Sequence, residues 1–260
     1  MSTVTLALHD SSTMVRRQLK RLVRYPSMTV QLILTPVIFL FLFVYVLGGT
    51  LGDGLGGGRD AYVNYVVPGI LLMAAATAAT GTAVMVATDM TEGIVARFRT
   101  MRISRASVLT GHVVGSVIQQ LLGMAVLIGI ALAIGFRPNA TVVEWLVAAG
   151  LLTLFAVAIT WLAVALGLKS PTPEAASNAP MPLILLPFLA SGFVPTESMS
   201  AGLQWFAQYQ PFTPFIETLR AFLLGTPMGI NGWLSIAWCA VIGLGGWLWA
   251  RSLYDRRSLR

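Results

Sequence analysis

Five stretches of the chain, 27–48, 63–88, 108–135, 142–168 and 232–250, are apolar over lengths that would cross hydrocarbon of about 30 Å as helix, and none contains a Lys or Arg. All 17 basic residues lie in the gaps, most of them in alternate gaps. Within a bilayer every backbone donor and acceptor must be satisfied inside the chain, so runs of this length read as helices. Composition agrees: 56% of the 260 residues are hydrophobic and 10% charged, against about 25% charged in ordinary soluble domains. A soluble fold with so few charges would expose one continuous apolar patch. The fold class is therefore all-α, a polytopic membrane protein.

A sixth run, 179–194, is short and carries Pro180, Pro182 and Pro187, each of which removes a backbone donor. Charge distribution argues for counting it. With six transmembrane helices and both termini cytoplasmic, the inner segments hold fourteen basic residues, among them Arg105, Lys169 and Arg251. The outer segments hold only Arg59, Arg137 and Arg220. Dropping the sixth run would put the four C-terminal arginines outside, against the bias of basic loops toward the cytoplasm. The expected layout is a tail with an amphipathic helix over 1–26, a transmembrane domain over 27–250 and a tail over 251–260, in a multi-pass protein of the plasma membrane. The first run is too long for a signal-peptide core and reads as a retained span.

Net charge +7 does not point to nucleic acid, because the arginines flank apolar spans instead of alternating with stacking aromatics. Cys239 is the only cysteine, so no intrachain disulfide can form; inside an apolar run its thiol is expected to be inert.

Three gaps carry patterns. Val15, Leu19, Leu22 and Val23 share a helical face, with Arg16, Arg17, Lys20, Arg21 and Arg24 around it, which suits a helix on anionic lipid. Asp89 and Glu92 stand three apart as in a capping box that starts a short helix. Ile94, Val95, Phe98 and Met101 would then form an apolar stripe flanked by Arg97, Arg99, Arg102 and Arg105, suited to docking on a soluble partner or on the bilayer surface. The glycine-rich 48–58 reads as a flexible connector and not a phosphate loop, since no Gly-Lys-Ser/Thr follows. The stretch 195–230 is aromatic and proline-punctuated; Trp205, Phe206, Tyr209, Phe212 and Phe215 read as short helices or re-entrant turns at the outer interface.

The ten acidic residues all lie in gaps or at span ends, which counts against a proton- or sodium-coupled carrier. His112, near a span start, reads as an interface residue. Asp89 and Glu92 lack the second acidic pair that a lipid-diphosphate transferase would need, and no metal site is expected. Inside the second and third spans, Thr77, Thr80, Thr82, Ser116, Gln119 and Gln120 must find partners in the bundle or face a wet path; contact between helices is the reading preferred. Gly111 and Gly115 would permit close packing. With no Walker A sequence, ATP-driven work needs another polypeptide.

The sequence QPFTPFIETLRAFLLG at 210–225 resembles the outer signature of ABC-2 type permeases, and SGFVPTE at 191–197 and EGIVARFRTM at 92–101 also match. The resemblance covers almost the whole chain and is nearest to the daunorubicin/doxorubicin-resistance subgroup. It implies the permease of an ATP-binding cassette exporter for an amphipathic drug, lipid or secondary metabolite. Two permeases, identical or different, would work with two separate ATPase chains that bind ATP and Mg. It implies no enzyme chemistry in this chain, a connecting helix at the N-terminus, and a cytoplasmic coupling helix between spans two and three. Asp89, Glu92, Gly93, Arg97, Phe98, Arg99 and Met101 occupy the coupling positions. Pro211, Pro214, Glu217, Arg220 and Gly225 carry the outer signature, and Thr77, Thr80, Gln119 and Gln120 are candidates for the substrate path. The chain departs from the pattern at Arg102 and Ser200, where many relatives have proline. A stand-alone drug/proton carrier and, behind it, a lipid-diphosphate transferase are the alternatives.

Overall fold

A computed structural model of the chain describes residues 26–92 and 105–257. The amphipathic helix expected before residue 25 and the coupling positions from Gly93 to Met101 lie outside the described residues.

Every regular element among the described residues is helical. Helix α1 (Pro26–Phe41) passes through a wide π-helical stretch, Leu42–Leu47, into α2 (Gly48–Gly54). The longest helix, α3 (Gly58–Thr91), follows, then α4 (Arg105–Ala133) and α5 (Val142–Lys169). Short pieces come next: α6 (Pro173–Asn178), α7 (Met181–Leu185) with a 3-10 turn Leu186–Leu189, α8 (Ala201–Tyr209) and α9 (Phe212–Leu224). Helix α10 (Asn231–Arg257) ends the described chain. Among the described residues, five helices are long and apolar enough to cross a membrane: Ile33–Gly54, Gly58–Thr91, Thr110–Ala133, Val142–Lys169 and Asn231–Tyr254.

The glycine-rich 48–58 is not a flexible connector. It forms α2 and a tight return onto α3, in which a Cβ on Gly52 would stand 2.0 Å from the Gly58 carbonyl oxygen. Gly56 and Gly58 take positive φ in the turn. Glycine is a poor helix former, but here its missing side chain is what lets the two backbones meet.

Helices α3 and α5 form the buried axis, with Ile70, Leu71, Leu72, Phe155 and Ile159 fully enclosed. Small residues set the crossings. A Cβ on Gly167 would lie 2.5 Å from the Ala83 carbonyl, and one on Gly246 would lie 2.7 Å from the Leu162 nitrogen. In lipid, where apolar burial offers helices little reason to associate, such close contact supplies the dispersion that holds them.

The run 179–194 is not a continuous helix. Pro180 precedes α7, and Pro187 lies in the 3-10 turn. The segment nevertheless runs along α3. Ala176 packs with Ala83 and Ala87 at one end. At the other, Gly192 touches Gly69 backbone to backbone, and Tyr62 Oη donates to the Phe193 carbonyl at 3.1 Å. Ala87 and Gly69 are separated by about 27 Å along the helix axis.

Basic groups divide between the two ends. At the C-terminal end of α3 lie the start of α4 at Arg105, Lys169 above the Trp249 ring at 5.6 Å, and Arg251 near Trp247 at 5.7 Å. We call this the basic end. The far end carries Arg59, near the Tyr45 ring at 5.4 Å, with Arg137 and Arg220.

Helices α8 and α9 form a hairpin that dips from the far end into the bundle. The Phe215 ring lies 4.6 Å from Phe155, which is about 20 Å along α5 from its N-terminus. The Leu223 carbonyl, at the other end of α9, accepts from Asn139 N in the α4–α5 loop at 2.9 Å. The aromatic stretch is thus divided: Trp205, Phe206 and Tyr209 are exposed, whereas Phe212 and Phe215 are fully buried core residues and not interfacial.

Candidate functional sites

At the basic end, α3 and α4 converge on the segment that carries the expected coupling residues. Asp89 does not open a helix there. It sits in the last turn of α3, and Glu92 is the C-cap residue, its N–H donating to the Thr88 carbonyl at 2.9 Å. The capping box therefore does not form, because the apolar periodicity of α3 carries the helix through Asp89. His112 is not an interfacial side chain either; Asp89 Oδ2 and His112 Nε2 are 3.2 Å apart with both side chains buried. The capping box the sequence does contain is Thr141 with Glu144, where Thr141 N donates to Glu144 Oε2 at 2.6 Å. Its Thr-x-x-Glu signature before an apolar run is legible in the sequence.

Midway through the bundle, Gln120 Nε2 donates to Thr160 Oγ1 at 2.8 Å and links α4 to α5. Thr77 and Thr82 return their hydroxyl protons to the carbonyls of Met73 and Ala78 in their own helix. Thr80 Oγ1 and Gln120 Oε1 are buried and have no hydrogen-bond partner among the described residues. Gln119 is half-buried. The expected polar contact between helices is present at Gln120, with Thr160 as the partner that sequence reasoning missed.

The outer-signature residues form a buried joint. Pro211 and Pro214 open α9, and Gly225, at φ 71°, closes it in the left-handed conformation that glycine tolerates. Arg220 is 4% exposed and reaches two other elements. Its Nη2 donates to the carbonyls of Ser191 at 2.7 Å and Tyr65 at 3.0 Å, its Nη1 pairs with Glu217, and its guanidinium lies 3.7 Å from the Tyr65 ring centre. Pro68, one turn along α3, has no N–H and disturbs the local carbonyl ladder. The Tyr65 carbonyl accepts from the arginine beside that break. Gln210 seals the base of the hairpin, accepting from Phe212 N at 3.1 Å and donating to the Leu186 carbonyl at 3.4 Å.

Beside this joint, α5, α9 and α10 enclose an open apolar cleft of about 410 Å³, lined by Gly150, Leu154, Thr218, Phe222, Trp233 and Ile236. The Thr218 hydroxyl is already shared with the Pro214 carbonyl and Ser235, so the cleft suits hydrocarbon and not a polar group.

The sequence model of the ABC-2 type transporter family matches residues 10–224. A daunorubicin resistance ABC transporter permease protein, DrrB1, of Streptomyces coeruleorubidus is 26% identical over 222 residues, 85% of this chain and 77% of the relative. A probable doxorubicin resistance ABC transporter permease protein, DrrC, of Mycobacterium tuberculosis is 24% identical over 196 residues, 75% of this chain and 70% of that protein.

Proposed function

The chain belongs to the ABC-2 type transporter family, and from that premise we propose that it is the permease subunit of an ATP-driven exporter of an amphipathic drug, lipid or secondary metabolite. Relatives that cover most of its length are permeases of drug-resistance ABC transporters, and ABC-2 permeases work with separate ATP-binding subunits. The observation that carries the reading furthest is the polarity of the bundle: α3 ends and α4 begins at the basic end, with Lys169 and Arg251.

On this reading the basic end is cytoplasmic and the protein lies in the plasma membrane. The run 179–194 is a sixth, broken crossing, supported by the contacts of Ala176 and Phe193 with α3 over nearly the thickness of the hydrocarbon. The ATPase, which binds ATP and Mg, docks on Glu92, Gly93, Arg97, Phe98, Arg99 and Met101, and Asp89 serves coupling from within the bundle. Arg16, Arg17, Lys20, Arg21 and Arg24 hold the N-terminal segment on anionic lipid. Two permeases and two ATPases form the working unit. Substrate passes by alternating access past Thr77, Thr80, Gln119 and Gln120, among which Thr80 Oγ1 and Gln120 Oε1 are buried acceptors with no partner among the described residues. The neutrality of these side chains favours ATP as the energy source over a proton gradient.

The test is purification from native membrane. An ATPase with Walker motifs is expected to accompany the wild type and to be lost from Phe98→Asp, whose charge spoils an apolar docking stripe. A chain that emerges alone and still moves substrate without ATP is a secondary carrier instead.

A further inference from the structure

The apolar cleft between α5, α9 and α10 lies at the depth of a single leaflet. Its α5 wall runs from Val147 to Leu154, about 8 to 18 Å from the start of that helix at the far end. Half of the hydrocarbon core is about 15 Å. The α10 wall runs from Gly232 to Ile236 in the first turns of that helix. Both walls belong to helices long and apolar enough to cross a membrane. Val147, Leu154 and Ile236 are exposed, so the cleft is continuous with the surface that meets acyl chains. The two hydroxyls nearby are already used: Thr218 and Ser235 share a hydrogen bond with each other and with the carbonyls of Pro214 and Asn231. An apolar recess of this kind stays dry and takes apolar molecules. No remaining segment of the chain starts near it, because the described residues stop or resume at Pro26, Glu92, Arg105 and Arg257, at the opposite end of the long helices.

We propose that this cleft binds one acyl chain of a phospholipid from the leaflet at the far end. Trp233, 77% exposed in the first turn of α10, lines the cleft at the level where indoles meet headgroups, and it sets the height of the lipid. Gly150 makes the room: a Cβ there would meet nothing within 4 Å, so the chain lies directly against the α5 backbone. Phe222 of α9 and Ile236 of α10 form the other walls. A chain seated among the three elements ties the re-entrant hairpin to α5 and α10. An amphipathic export substrate would find no partner here for its polar part, so the site holds a lipid and not a cargo. The proposal needs the bilayer but not the ATPase, and it goes beyond the exporter reading.

The experiment uses the full chain, purified in dodecyl maltoside, stripped of native lipid and incubated with dioleoylphosphatidylglycerol. Native mass spectrometry counts the phospholipid that stays on each permease after loosely held lipid is removed by collisions. The wild type is expected to keep one. Gly150→Trp and Ile236→Trp fill the cleft from different helices and are expected to keep none. Gly245→Trp adds the same side chain at an exposed position of α10 outside the cleft, where a Cβ also meets nothing within 4 Å, and is expected to keep the lipid. A second measurement adds no bulk: in a Cys239→Ala background, Ile236→Cys should react with a maleimide several-fold more slowly with the lipid than without it, and Gly245→Cys should be unaffected. A wild type that keeps no lipid, a folded filled variant that keeps as much as the wild type, or equal protection of the two cysteines overturns the proposal. If Gly150→Trp instead splits a permease dimer, a second copy covers the cleft and the lipid site is overturned. A cleft-dependent mass other than phospholipid, on protein taken directly from the native membrane, overturns it in favour of a substrate subsite. Each of these results leaves the dependence on a partner ATPase untouched.

Discussion

Arg220 is one residue that holds three elements. It lies on α9, accepts Glu217 as its ion partner, and donates to carbonyls on α3 and in the turn at Ser191. A planar guanidinium can serve such divergent acceptors, and a lysine ammonium on a flexible stem cannot hold the same fork. Arg220→Leu would leave Glu217 without its cation and remove the donor that ties the Ser191 and Tyr65 carbonyls together. A stability loss of about 3 kcal/mol is expected, the scale for breaking a buried pair. Arg220→Lys should recover little of it. Denaturant titration in detergent measures both; a loss below ~0.5 kcal/mol, as for exposed pairs, would show that the joint is dispensable. The signature residue was visible in the sequence, but its partners were not. They are backbone carbonyls, which carry no side-chain signal, and the Tyr65 contact spans 155 positions.

Among the elements, two segments show what local composition leaves open. Glycine richness at 48–58 looked like slack because glycine usually is slack, yet Gly52 is enclosed by the backbone of Gly58 and Arg59. The neighbouring Gly49 would meet nothing within 4 Å. Gly52→Ala is therefore expected to destabilise by about 1–3 kcal/mol, as overpacking does. Gly49→Ala is expected to be neutral or slightly stabilising. Equal effects of the two substitutions, read as thermal midpoints, would restore the flexible-connector description. Proline content at 179–194 suggested a weak span, and the helix is indeed interrupted, but Ala176, Gly192 and Phe193 still follow α3 from end to end. Helix length alone could not have revealed that path, since the path depends on what the segment packs against.

At the scale of the whole molecule the proposal of six crossings makes a topological prediction. In a Cys239→Ala background, a cysteine at Thr172, before α6, should react with an impermeant reagent only after the membrane is opened. One at Met199, before α8, should react in intact cells. If both react in intact cells, the broken segment does not cross and the basic end of α10 cannot lie inside. The long helices, their order and the charge contrast between the two ends were all readable in the sequence. Each is a local property: the length of an apolar run, or the position of a charge relative to it. What only the tertiary structure decided are the relations between distant positions. These are the union of Asp89 with His112, the link from Gln120 to Thr160, the Arg220 joint, and the burial of Phe212 and Phe215 in a re-entrant hairpin. Uniformly apolar helices reveal little about which face meets which neighbour, because lipid and protein interior reward the same side chains. Their pairing is settled by small residues and a few buried polar groups, and those act only once the helices have been brought together.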